Sequence, residues 1–250
     1  MQTPLAWIVG ASSGIGAATA RRLAGSGWRV AVTARRADRL EALCAEHPER
    51  LFAWPGDVTD TQGLSELVRS LESSLGPVDL CILNAGDYQP MRLDQFDVAL
   101  FRRLMEVNYL GVVHALAAIM PAMRARGRGQ ILVTASLAGY RGLPGAAPYG
   151  ATKAALISLA ESLQPELAAD GVALRVINPG FVSTALTDRN RFSMPFLMTS
   201  DQAAEAIVRG LRHRRFEIRF PWRFAVIMSL LRCLPDSLYL RLTRRMVASS

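Results

Sequence analysis

Short apolar runs of four to six residues alternate with longer helical patterns along most of the 250-residue chain, and this alternation constrains the fold more than any other feature. Strands are predicted at Leu5–Val9, Arg29–Thr33, Leu51–Trp54, Asp79–Leu83, Gln130–Thr134, Val172–Ile177 and Phe216–Arg219. Helices are predicted near 15–25, 37–47, 61–75, 96–126, 149–169 and 201–213. The early strands are apolar at nearly every position, the pattern of strands covered on both faces. Strands that alternate with helices in this way build a doubly wound parallel sheet with helices on both sides. Half of the residues are hydrophobic and only 20% are charged, which supplies a core and excludes a disordered chain. No repeat or low-complexity linker divides the sequence, so one domain over 1–219 is expected, with an extension at 220–250.

The first strand runs into Gly10-Ala11-Ser12-Ser13-Gly14-Ile15-Gly16 and then a helix. Glycines there let the backbone turn tightly and let a pyrophosphate approach the helix N-terminus, where free N–H groups and the helix dipole favour negative charge. An ordinary tight strand–helix connection is the plainer alternative, but the position directly after the first strand favours a nucleotide site. The second strand ends in Ala34-Arg35-Arg36, with no acid at 33–36. A carboxylate there would bind the ribose hydroxyls of NAD, whereas arginine suits the 2′-phosphate of NADP. NADP(H) is therefore expected, and NAD less so.

Tyr149 and Lys153 are four residues apart and share a helix face. A nearby ammonium lowers a tyrosine from its usual value near 10, making it a general acid or base at working pH. Lys153 is the only lysine in the chain, which argues against a merely solvated helix face. Asn108 lies mid-helix, where asparagine is a poor helix former, so its side chain is expected to hold a water or interrupt the hydrogen-bond ladder.

These residues fall in six ordered motifs that resemble the classical short-chain dehydrogenase/reductase family: Gly10–Gly16, Asp57-Val58, Asn84-Ala85-Gly86, Asn108, Ser136 to Tyr149-x-x-x-Lys153, and Asn178-Pro179-Gly180. The similarity spans residues 5 to about 219. It departs from the family pattern at Val9, where threonine is usual, and at Leu83, where a second asparagine is common. The resemblance implies a Rossmann-type fold and hydride transfer between a nicotinamide and a ketone or aldehyde, or the corresponding alcohol. It implies that Tyr149 moves the proton, Ser136 holds the carbonyl, Lys153 tunes Tyr149 and grips a ribose, and Asn108 supports a water relay. It further implies cofactor contacts from Gly10, Ser12, Ser13, Gly14, Ile15, Gly16, Arg35, Arg36, Asp57, Val58, Asn84, Ala85, Gly86, Tyr149, Lys153, Pro179, Gly180 and Val182. Pairing of subunits through helices 96–126 and 149–169, as a dimer or tetramer, is also implied.

Three cysteines, Cys44, Cys81 and Cys233, without a CxxC pair point to a reducing, cytoplasmic compartment and to no structural metal. No secretory signal and no apolar run of about 18 residues are read. The net charge of +8 resides entirely in residues 209–245, which hold ten arginines against Glu217 and Asp236. A last helix at 237–247, with Asp236 as N-cap, would place Leu238, Tyr239, Leu242 and Met246 on one arc and Arg241, Arg244 and Arg245 on another. That pattern fits peripheral contact with an anionic membrane at its inner face, and a hydrophobic substrate. Packing on the body or a second subunit is the plainer reading. Nucleic acid is not expected, because no binding motif accompanies the basic stretch. The alternative from another class is a catalytically silent NADP-binding regulatory or scaffold protein. The loop 181–199 and the tail are expected to shape the substrate pocket, whose ligand these residues do not identify.

Overall fold

The computed structural model describes residues 3–190 and 193–248. Seven strands, β1 (Leu5–Val9), β2 (Arg29–Thr33), β3 (Leu51–Ala53), β4 (Leu80–Leu83), β5 (Gly129–Thr134), β6 (Val172–Pro179) and β7 (Glu217–Phe220), form one sheet. Its order is β3-β2-β1-β4-β5-β6-β7, and every pairing is parallel. The helices are α1 (Gly14–Gly25), α2 (Ala37–Cys44), α3 (Thr61–Leu75), α4 (Val98–Met105), α5 (Gly111–Ala125), α6 (Ala147–Ala169), α7 (Ser200–Leu211), α8 (Trp222–Cys233) and α9 (Asp236–Ala248).

Side chains alternate across each strand, so β1 feeds two cores. Leu5, Trp7 and Val9 join residues of α3, α5 and α6 on one face, while Ala6 and Ile8 join α1, α2 and α7 on the other. All five are at most 1% exposed, which explains why β1 reads as a continuous apolar run. The indole N–H of Trp7 donates to Thr33 Oγ1 at 2.9 Å, so its burial leaves no polar group unmet. Successive strands are added in one direction from β1 to β3 and in the other from β4 onward, and open sheets of this kind bind ligands at the crevice between β1 and β4.

Several boundaries differ from the sequence reading. Asp79 lies outside β4 because its carboxylate accepts the Leu5 amide at 3.0 Å. β3 stops at Ala53, β6 runs on to Pro179, and β7 is shifted to 217–220. The helix expected at 96–126 is a continuous helical run from Val98 to Ala125, with a π-helical segment at Glu106–Leu110 that holds Asn108. By length and composition this run could cross a membrane, which the count of apolar residues alone had excluded. Its buried members Val112, Ala115, Leu116, Ile119 and Met123 belong to the core cluster against the sheet.

The last helix also departs from expectation. Asp236 is inside its first turn rather than capping it, and its carboxylate pairs with Arg141 instead. Tyr239 turns inward, 4% exposed, with its hydroxyl donating to the Gly142 carbonyl and the Arg141 guanidinium 4.0 Å above its ring. Leu238, Leu242 and Met246 face outward. Tyr239 wins the inward place because its ring buries apolar area while its hydroxyl finds a partner. α8 packs through Ala225 and Met228 on Leu137, with Phe224, Tyr140 and Leu143 beside them.

Candidate functional site

The glycine turn sits at the β1/β4 crevice. Gly10 has φ +86, and a Cβ there would lie 2.5 Å from the Ala85 backbone. A Cβ on Gly16 would lie 2.3 Å from the Gly10 carbonyl, so the turn closes only without side chains at both positions. Asn84 Nδ2 donates to that same carbonyl at 3.2 Å, tying the end of β4 to the turn. Ser13 precedes α1 in extended conformation, and its side chain makes no cap bond to the helix. The first N–H groups of α1 are thus left for an anion.

Arg36, not Arg35, reaches the turn: its Nη2 donates to Ser12 Oγ at 2.8 Å and Ser13 Oγ at 3.1 Å. Arg35 is exposed beside it. Arg39 and Arg21, which the sequence reading did not single out, line a cleft of about 300 Å³ with Ser12, Ser13 and Gly14. Arg39 was findable from its place one helical turn after Arg36. Asp57 accepts from the Thr59 amide and hydroxyl at 3.0 Å each, and the Val58 carbonyl meets His114 Nδ1 at 2.9 Å. Ile15 is partly buried against the core of α1 and α2, and Val182 is 3% exposed in that core. The Val182 side chain therefore faces the core and leaves only its backbone for a ligand.

Ser136, Tyr149, Lys153 and Asn108 come together past the ends of β4 and β5. Ser136 ends the segment after β5; its Oγ accepts from Ala138 N at 3.1 Å and donates to the Pro179 carbonyl at 3.4 Å. Ser136 lies close enough to Tyr149 to lower the value of its hydroxyl. Tyr88, missed in the sequence, packs edge-on against the Tyr149 ring at 5.0 Å. Burial pushes Tyr149 up from 10 to about 12, against the lowering effect of Ser136. This reverses the expected direction: Lys153 Nζ lies 5.6 Å from the Tyr149 ring centroid and donates instead to the Thr134 carbonyl at 2.8 Å. Desolvation outweighs the more distant charge, and the phenol is neutral at pH 7. Lys153 itself is 3% exposed, and burial lowers it from 10.5 to about 8.

Asn108 is fully buried. Its Nδ2 donates to the Asp87 carbonyl at 2.9 Å and Thr152 Oγ1 at 3.1 Å, and its Oδ1 accepts the Asp87 amide at 2.7 Å. The π segment frees this side chain from the helix surface and lets it staple the loop after β4 to α6. The loop after β6 closes on the same segment. Arg189 pairs with Asp87 Oδ1 at 3.0 Å and Tyr88 OH donates to Asn190 Oδ1 at 2.7 Å. Gly180 lies against α8: a Cβ there would meet Phe224 at 2.8 Å and Pro221 at 3.1 Å. Phe224 stacks on Phe181 with ring centroids 5.4 Å apart and reaches Phe196 at 6.3 Å. No local pattern announces these long-range pairs.

The residues suit a dinucleotide. The backbone at Gly10 and Gly16 leaves room for a pyrophosphate to approach, and the Arg36 guanidinium lies beside the turn. Lys153 has one described acceptor, leaving N–H donors for ribose hydroxyls. A Cβ on Gly86 would stand 3.4 Å from Asn108 Oδ1 and 3.7 Å from Lys153 Nζ, so the bare glycine keeps that space open. Among the described residues, no group of three His, Cys, Asp or Glu side chains is arranged to hold a metal.

Residues 4–194 match the model of the short chain dehydrogenase family, and the chain belongs to it. An uncharacterized oxidoreductase of Myxococcus xanthus is 36% identical over 249 residues, with 96% of each chain covered. The crystal structure of a short-chain dehydrogenase from Streptomyces avermitilis superposes with a TM-score of 0.85 at 27% identity, covering 99% of this chain and 98% of that one. An alcohol dehydrogenase from the archaeon Thermococcus sibiricus, complexed with 5-hydroxy-NADP, superposes with a TM-score of 0.80 at 31% identity, covering 88% and 96%. The protein is an oxidoreductase of this family.

Proposed function

We propose that the protein is an NADP(H)-dependent reductase of a ketone or aldehyde. The observation that carries this reading is the gathering of Tyr149, the buried Lys153 with its Nζ 5.6 Å from the Tyr149 ring centroid, and the Ser136 hydroxyl. A neutral phenol is the form that donates a proton to a carbonyl oxygen. Arg36 over the turn supports NADP, as does the NADP derivative bound by the archaeal alcohol dehydrogenase.

A bound nicotinamide would supply the hydride. Ser136 Oγ, directed by the Ala138 amide, orients the carbonyl oxygen beside Tyr149. Tyr149 gives its hydroxyl proton to that oxygen as negative charge develops, and Ser136 and the Lys153 ammonium stabilise the phenolate left behind. Lys153 then supplies the replacement proton, which its value of about 8 permits near neutral pH. Asn108 holds the floor of this array, and a water beside it would link Lys153 to solvent. The Phe181–Phe224–Phe196 cluster beside Gly180 supports a hydrophobic substrate. Exposed Leu93, Phe96 and Val98 near the start of α4 support pairing of subunits on that side. Exposed Trp222, Ile227, Leu230, Leu238 and Met246 among the tail arginines support peripheral contact with an anionic membrane.

The test is NADPH oxidation with a carbonyl panel graded by chain length, using wild type and Tyr149→Phe. Turnover should fall about 100- to 10,000-fold in the variant, the range for a lost general acid. NADPH affinity should change less than about twofold, since the cofactor's ribose contact is assigned to Lys153. Retained turnover would refute the mechanism, and tight NADPH binding without turnover by wild type would favour a silent binder.

A further inference from the structure

The outer edge of the sheet carries a second cleft, away from the glycine turn. It measures about 330 Å³, within the range of small-molecule sites, and lies along β7 between α7 and the start of α8. In the strand order β7 is four places from β1, about 19 Å at the usual strand spacing, so the cleft is separate from the glycine turn. Four arginines line it: Arg175, Arg209, Arg215 and Arg219. His213, Phe220 and Trp222 are the ring-bearing residues of the lining, and Glu217 is its one carboxylate. That carboxylate is already engaged, accepting from Tyr140 OH and from Asn178 Nδ2 at 2.6 Å and lying 3.7 Å from Arg219.

Arg175 distinguishes this cleft from a solvated basic patch. It is 4% exposed, whereas Arg209, Arg215 and Arg219 are exposed. Its Nε donates to the Arg215 carbonyl at 2.6 Å and its Nη2 to the Gly210 carbonyl at 3.0 Å. Its Nη1 is buried with no hydrogen-bond partner. A guanidinium buried on backbone carbonyls alone has lost most of its water without gaining an anion, and such groups are normally paired. Trp222 is 69% exposed at the rim, a flat apolar wall beside the charges.

We propose that this cleft binds a phosphate-bearing anion, with the exposed arginines holding the phosphate oxygens and the Arg175 guanidinium beneath supplying fixed positive charge. Arginine forks match phosphate oxygens in pairs; exposed Arg209 and Arg215 line this small volume, as does Arg219, which also lies 3.7 Å from Glu217 and donates to Ser229 Oγ at 3.0 Å. A soluble phosphate ester and a phospholipid headgroup share this chemistry. The apolar face of α8 that begins at Trp222, with Val226, Ile227 and Leu230 exposed, would lie against acyl chains in the second case.

The experiment uses the full chain saturated with NADPH, so that anions cannot report on the glycine turn. Inorganic phosphate and pyrophosphate are titrated by calorimetry. Sedimentation is measured with phosphatidylcholine vesicles, with and without phosphatidic acid. The comparison protein is Arg209→Gln/Arg215→Gln, two exposed changes that keep the backbone carbonyl used by Arg175. Loss of two charge-assisted bonds should weaken binding at least about tenfold, while carbonyl reduction stays unchanged. Variant-sensitive binding of phosphate or pyrophosphate supports the proposal and points to a soluble ligand. Variant-sensitive sedimentation restricted to phosphatidic acid supports it and points to a headgroup. Binding that is absent in both arms, or equal in wild type and variant, overturns it. A chain that lacks reductase activity but passes this test would leave the cleft standing and remove only the catalytic reading.

Discussion

Replacing Lys153 with methionine should stabilise the protein at neutral pH while abolishing its turnover. Burial holds the Lys153 ammonium at about 8 against 10.5 in an unfolded chain. Keeping it protonated at pH 7 therefore costs about 3 kcal/mol, at about 1.4 kcal/mol per pKa unit. Methionine fills similar space without charge, but it leaves the Thr134 carbonyl without the 2.8 Å bond from Nζ, a loss of about 1 to 2 kcal/mol. The net gain is about 1 to 2 kcal/mol, or roughly 3 to 6 °C in Tm for a chain of this size. The pH dependence has a definite sign. Between pH 8 and 10.5 the unfolded lysine retains its proton and the folded one has lost it, so wild-type stability rises with pH across that window. Near pH 9.5 the cost has fallen to about 1 kcal/mol and the advantage of the variant disappears. The raised value of Tyr149 acts only above pH 10, outside this comparison. Urea denaturation of both proteins at the two pH values measures the gap. A variant no more stable than wild type at pH 7, or a gap that does not shrink by pH 9.5, would refute the argument that the ammonium is buried at a cost.

Arg36→Ser should raise the KM for NADPH about 10- to 100-fold, from the loss of a charge-assisted bond, and leave that for NADH nearly unchanged. Equal effects on both cofactors would remove Arg36 from phosphate recognition. Gly16→Ala should abolish NADPH binding, because its Cβ would stand 2.3 Å from the Gly10 carbonyl and force the turn open; fluorescence titration reads this directly. Asp60→Ala removes the side-chain cap on α3, which accepts the Gly63 amide at 2.9 Å. It should cost about 1 kcal/mol in thermal unfolding with activity intact, providing a control for stability effects alone.

The strands of this protein were legible because burial on both faces writes itself into consecutive residues, as in Leu5–Val9. The glycine turn was legible for a similar reason: Gly10 and Gly16 are demanded by backbone contacts a few residues away. The Tyr149 and Lys153 pair was legible because one helix carries both. Element ends were less so. Asp79 and Asp236 look like ordinary boundary residues until Leu5 N and Arg141 claim their carboxylates.

By itself, the sequence determined the element order, the two-sided core and the glycine turn, and the order of its motifs carried the resemblance to the family. These depend on periodicity and short spacing, which are properties of the chain in one dimension. Only the tertiary structure decided which charges act on which groups. It set Lys153 on the Thr134 carbonyl rather than on the Tyr149 hydroxyl, leaving a phenol that burial keeps neutral. It chose Arg36 over Arg35 for the turn, and put Tyr239 rather than Leu238 on the inner face of α9. It also buried Arg175 beneath three exposed arginines at the far edge of the sheet. Desolvation and distance govern each of these outcomes, and both arise only when segments remote in sequence are packed together.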